Sequence, residues 1–94
     1  MAFAPVMKSR ATRRFWKLFA GLPSHIQQLA EKNYRLWSND PNHPSLRFKT
    51  LHGQGDRFSV RIGDHYRAVG RKVDGGIEWV WIGSHEEYNK LTGR

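Results

Sequence analysis

The chain has 94 residues, 38% hydrophobic and 13% aromatic, which suits one compact core and is too short for two domains. It has no cysteine, which excludes disulfides, thiol nucleophiles and zinc–thiolate or iron–sulfur centres and fits a reducing, cytoplasmic setting. Sixteen Lys and Arg against eight Asp and Glu give a net +8, a balance that attracts polyanions or acidic protein surfaces.

Residues 1–8 read as a loose or strand-like lead-in to a single domain spanning 1–94, with neither an export signal nor an apolar run of the roughly 20 residues a membrane span needs. From Thr12, a plausible N-cap, Phe15, Leu18, Phe19 and Leu22 recur at helical spacing, and Gly21 with Pro23 ends the helix. Arg13, Arg14 and Lys17 fall on its outer face. Ser24 and Gln27 read as a capping box for a second helix that carries Ile26, Leu29, Ala30, Tyr34 and Trp37 on one side and stops at Asp40-Pro41. The short link between the two predicts an antiparallel helix pair.

After Pro44 the period changes to two. Leu46 and Phe48 alternate with Arg47 and Lys49, and Phe58, Val60 and Ile62 alternate with Ser59 and Arg61. Tyr66–Lys72 and Ile77–Ile82 follow, giving four strands. Gly53-Gln54-Gly55-Asp56, Gly63-Asp64-His65 and Asp74-Gly75-Gly76 are the turns between them, short enough for hairpins. Ser84 with Glu87 forms a further capping box and opens a short terminal helix to about Leu91. The expectation is an α+β fold: an N-terminal helix pair on a four-stranded, mostly antiparallel sheet, closed by a short C-terminal helix.

The central hairpin holds the most informative oddity. A three-residue turn at 63–65 sets Arg61 opposite Arg67 on one side of the sheet, where like charges repel. An anion between two guanidiniums relieves that repulsion and suits a phosphate, whereas the alternative is a solvated face whose arginine stems cover apolar surface. If Arg47 and Lys49 lie on the neighbouring strand, they widen this into a row of four cations, although lysine also guards edge strands. His85 and Tyr88, three apart on the terminal helix, share a side of it. An imidazole transfers protons near neutral pH, and a phenol can orient or donate. The remaining histidines have no metal-ligand spacing, so no metal or cofactor is assigned. The alternating Trp79 and Trp81 read as core, and Ser59 lacks the context of a nucleophile.

Leu22-Pro23, Phe48-Lys49, Ser59-Val60-Arg61-Ile62-Gly63, Tyr66-Arg67 and Ile82-Gly83-Ser84-His85 through Tyr88 together resemble the RelE/ParE superfamily of bacterial type II toxins, over residues 9 to 91. The resemblance implies two helices on an antiparallel sheet. For RelE-like members it implies a metal-independent endoribonuclease that cuts messenger RNA on the ribosome, the substrate's 2′-hydroxyl attacking the adjacent phosphate. By resemblance Arg67 is the transition-state arginine, Arg61 a second basic residue near the turn, His85 the residue near the leaving group and Tyr88 the tyrosine that orients substrate. Arg47 and Lys49 would be auxiliary RNA contacts. A cognate antitoxin is implied as partner. ParE-like relatives keep the fold and inhibit DNA gyrase instead, and a non-toxic basic interaction module is a further alternative. The superfamily opens with a β-strand that completes the sheet, and residues 1–8, with Pro5, do not read as one.

Overall fold

A computed structural model describes residues 8–40, 42–51, 53 and 55–92. The lead-in before Lys8, and Pro41, His52 and Gln54 of the predicted stop and turn, lie outside the described residues. The elements are β1 (Lys8–Ala11), α1 (Arg13–Ala20), α2 (Ser24–Asn39), a 3₁₀ turn (Pro44–Leu46), β2 (Lys49–Thr50), β3 (Arg57–Ile62), β4 (Tyr66–Val73), β5 (Gly76–Ser84) and α3 (His85–Leu91). The sheet has five strands in the order β1-β5-β4-β3-β2. The four expected strands form the antiparallel meander, and β1 adds a parallel edge against β5.

β1 corrects the reading of the N-terminus. Its four residues include one apolar side chain, so no alternation announces it, and its partners are some 68 residues away, Lys8 lying opposite Gly76. It is held from outside: Trp79 Nε1 donates to Ser9 Oγ at 3.1 Å, Arg10 Nε lies 3.2 Å from Glu78, and the Thr12 amide donates to the Trp79 carbonyl at 3.0 Å. Thr12 also caps α1, its Oγ1 accepting from the Phe15 amide at 3.1 Å, as its place before the apolar stripe predicts.

Two further local readings change. Ser24 does not cap α2, whose N-cap is Pro23; Gln27 Nε2 instead donates to the Phe19 carbonyl at 3.0 Å, satisfying the exposed end of α1. Arg47 is not in a strand. It follows the 3₁₀ turn with a left-handed backbone at φ 50°, and the strand begins only at Lys49. The capping box of α3 forms as expected, with Ser84 Oγ accepting from the Glu87 amide and the Glu87 carboxylate accepting from the Ser84 amide, both at 3.1 Å.

The sheet carries a core on each face. Phe58, Val60, Ile62, Ala68, Ile77, Trp79 and Ile82 meet Ala30 and Trp37 beneath the helices. Leu51, Val69, Trp81 and Tyr88 form a smaller cluster on the opposite face, under α3. Trp79 and Trp81 are both core, yet they join different clusters. A bulge explains it: Val69 pairs with Trp81 and Gly70 with Trp79, so Val80 has no partner and the alternation reverses there. α1 packs on β5 and α2 on β3. Between them, over the small Ala68 of β4, an apolar groove of about 340 Å³ stays open, lined by Phe15, Trp16, Phe19, Tyr34 and Trp37.

Candidate functional site

The β3–β4 hairpin builds the site. Ile62 pairs with Tyr66 and Arg61 with Arg67 across the turn 63–65. Gly63 makes that turn possible twice over: its φ is +63°, and a Cβ there would meet Leu29 Cδ2 of α2 at 2.7 Å. The His85 amide donates to the His65 carbonyl at 2.7 Å, tying the start of α3 to the tip of the same hairpin. His65 and His85 therefore share one end of the molecule, a proximity that no sequence spacing announces.

The two guanidiniums part company once their side chains are followed. Arg61 folds back on its own turn, Nε donating to the Gly63 carbonyl at 2.7 Å and Nη2 pairing with Asp64. Arg67 forms no ion pair among the described residues. Its Nη1 donates to Ser59 Oγ at 3.3 Å, and its guanidinium carbon sits 5.2 Å from the centre of the Tyr88 ring. Its partners among the described residues are thus a hydroxyl and a ring face, which leaves most of the donors of this half-buried cation available to an anion.

Ser59 is the residue that sequence reasoning passed over. It is the one buried polar or charged residue among those described, fully covered, and its Oγ accepts from both Arg67 and Tyr88, the latter at 3.2 Å. Its position between Arg57 and Arg61 on the face opposite Phe58 and Val60, the one small hydroxyl in the strand, was the available signal. Tyr88 is correspondingly buried, at 4% exposed. With its hydroxyl committed to Ser59, it positions Arg67 rather than reaching outward. His85 is exposed and lies against the same ring, the two centroids 6.2 Å apart at 24°. Arg67, Tyr88, Ser59 and His85 thus form one contiguous group.

The auxiliary cations divide. Lys49 pairs with Ser59 across β2–β3 and shares its face, with β3 between it and Arg67. Arg47 lies instead in an open cleft with Arg61, Asn33, Ser45 and Gly63, between α2 and the hairpin turn. The continuous row of four expected from a regular strand is therefore not formed. At the other end of the same face Glu78 bridges Arg71, at 2.9 Å, and Arg10, at 3.2 Å. The Arg71 hydrogen bond, with the charge of both arginines, holds the Glu78 carboxyl below its ordinary value.

The sequence model of the ParE-like toxin domain matches residues 24–90. No protein of curated function matches the sequence. Among solved structures, the chain is similar to the RelB–RelE antitoxin–toxin complex from Methanococcus jannaschii, at 16% identity and a TM-score of 0.70 over 86% of this chain and 95% of that one. It is similar to a YoeB/ParE toxin from Agrobacterium tumefaciens, at 19% identity and a TM-score of 0.68 over 84% and 99%. A third likeness is to the RelBE2 toxin–antitoxin complex from Mycobacterium tuberculosis, at 22% identity and a TM-score of 0.67 over 84% and 91%. At these identities the structures establish the fold.

Proposed function

The chain belongs to the ParE-like toxin domain family, and from that premise we propose that it acts as a ribosome-dependent endoribonuclease, the toxin of a toxin–antitoxin pair. The observation that carries this reading is Arg67, a cation held in place by Ser59 and Tyr88 with no carboxylate among the described residues to neutralise it. Cleavage by the substrate's own hydroxyl joins the 2′-oxygen to phosphorus and breaks the bond to the 5′-oxygen. Negative charge grows on the non-bridging oxygens meanwhile. Arg67 supplies fixed positive charge to those oxygens, and preorganised electrostatics of this kind is the largest single contribution in many enzymes. His85, exposed beside Tyr88, is assigned the proton taken up by the leaving 5′-oxygen, while the attacking hydroxyl loses its proton to solvent. Arg61, engaged by Asp64, is assigned to substrate binding, with Lys49 beside Ser59 and Arg47 in the adjacent cleft as further RNA contacts.

The antitoxin partner is assigned to the apolar groove between α1 and α2. Trp16 and Tyr34 remain 56% and 44% exposed there, and Arg10 and Arg35 stand at its rim. The buried indole N–H of Trp37, which also lines the groove, has no acceptor among the described residues. An amphipathic segment with acidic flanks satisfies all three features.

Gyrase inhibition is the competing reading for this family, and induced expression separates the two. Fragmented messenger RNA with prompt loss of translation supports the nuclease. Filamentation with intact message supports gyrase as the target and removes the nuclease reading.

A further inference from the structure

Two indoles meet in the groove between α1 and α2. The Trp37 and Trp79 rings stand edge to face with centroids 5.4 Å apart, and both line the groove. Trp79 Nε1 has its acceptor in Ser9, at 3.1 Å. Trp37 Nε1 has none among the described residues, although Trp37 is only 5% exposed. A buried donor left unmet costs more than an ordinary hydrogen bond returns, so an acceptor is expected to come from outside the described residues. Around it Phe15, Trp16, Phe19 and Tyr34 present an aromatic wall, of which Trp16 and Tyr34 are exposed.

One stretch of the chain matches that need in chemistry and in position. Residues 1–7 (MAFAPVM) carry no charged or hydroxyl side chain, in a chain of net +8. β5 offers them no strand to pair with, because it begins at Gly76, which stands opposite Lys8. Ser9 itself lines the groove, so Phe3, six residues earlier, has a reach of about 20 Å from it. Pro5 fixes its own φ, keeps Ala4 extended and brings no N–H that an apolar groove would leave unmatched. Extended segments that contain proline dock in aromatic-lined grooves at a small ordering cost, because they are already stiff.

We propose that residues 1–7 occupy this groove in the free chain, with Phe3 among the aromatic side chains and the Ala4 carbonyl, next to Pro5, accepting from Trp37 Nε1–H. A second copy of the chain would bring a further +8 to the same rim, which disfavours it as the occupant. The occupancy stands apart from the nuclease reading and gives the antitoxin site a competitor within the same chain. An uncharged segment covers the aromatic wall and the indole N–H and offers nothing to Arg35 at the rim, so a partner with acidic flanks keeps an advantage over it. Such a partner binds more tightly once the segment is removed, because the open groove is then fully populated.

The test follows the indole N–H signals of the four tryptophans by NMR in the full chain, in Phe3→Asp and in a chain that begins at Met7, which keeps β1 whole. Both changes are expected to shift the Trp16 and Trp37 signals, while that of Trp81, in the cluster under α3, stays in place. Solvent exchange at the Trp37 indole is expected to quicken by about 2- to 10-fold in both, the worth of one hydrogen bond. In the full chain Phe3 is expected to show nuclear Overhauser contacts to the rings of Trp16, Phe19 or Trp37. Groove signals that neither change moves, or the absence of those contacts, overturn the proposal and leave the antitoxin assignment standing. Groove signals that vary with protein concentration, and do so equally in the chain that begins at Met7, overturn it in favour of a second copy.

Discussion

Ser59 Oγ accepts hydrogen bonds from both Arg67 and Tyr88, so removing it disturbs two side chains at once. Ser59→Ala leaves the Tyr88 hydroxyl buried without an acceptor, a loss of about 1–3 kcal/mol in a urea unfolding curve. Tyr88→Phe removes the donor instead and costs about 1 kcal/mol. Because the two share one bond, the double variant falls well short of the sum of the singles, which a double-mutant cycle reads directly. Arg61 and Arg67 were legible as a pair of interest from residue type and turn length, and His85 with Tyr88 from their spacing on the terminal helix. Ser59 was not, because its importance lies in what reaches it, 8 residues along the chain from Arg67 and 29 from Tyr88. Asp64 was readable in principle: it lies three residues from Arg61 within a tight turn, where a carboxylate is well placed to capture the guanidinium.

At the scale of elements, the β3–β4 hairpin and the edge strand β1 are the parts on which the site depends. Gly63→Ala forces both a disfavoured φ and a contact with Leu29, and is expected to destabilise the chain by about 1–3 kcal/mol, seen as a lowered thermal midpoint. β1 is secured by Glu78, and that attachment depends on pH. The Arg71 hydrogen bond, with the charge of Arg71 and Arg10, lowers the folded pKa of Glu78, so its stabilisation is present above the unfolded value and lost as pH falls through the folded one. The stability difference between the wild type and Glu78→Gln is therefore steady near neutrality and closes on acidification, which denaturant midpoints across the acid range measure. The hairpin could be read because a Gly-Asp-His turn fixes its register. β1 could not, since a mostly polar four-residue strand is defined by its distant parallel partner. The bulge at Val80 was equally hidden, because Trp79 to Ile82 read as a regular strand and only packing shows the reversal. Arg47 departed from its expected strand through a left-handed backbone that non-glycine residues seldom adopt.

For the molecule as a whole, α1 and α2 lie on one face of the sheet, and the opposite face, which bears α3, carries the arginine-rich hairpin with its Ser59 hub. The family places the chain among toxins; the distribution of charge on the second face is what favours RNA as the target. The most direct test is to map messenger RNA ends in cells after brief induction of the wild type and of Arg67→Ala, with both proteins shown to be folded and equally abundant. The wild type is expected to leave upstream fragments ending in a cyclic phosphate and downstream fragments with a free 5′-hydroxyl, and the variant to lower their yield by about 100- to 1,000-fold, the usual loss for one preorganised donor. Equal cleavage by Arg67→Ala, or intact message under the wild type, contradicts the account.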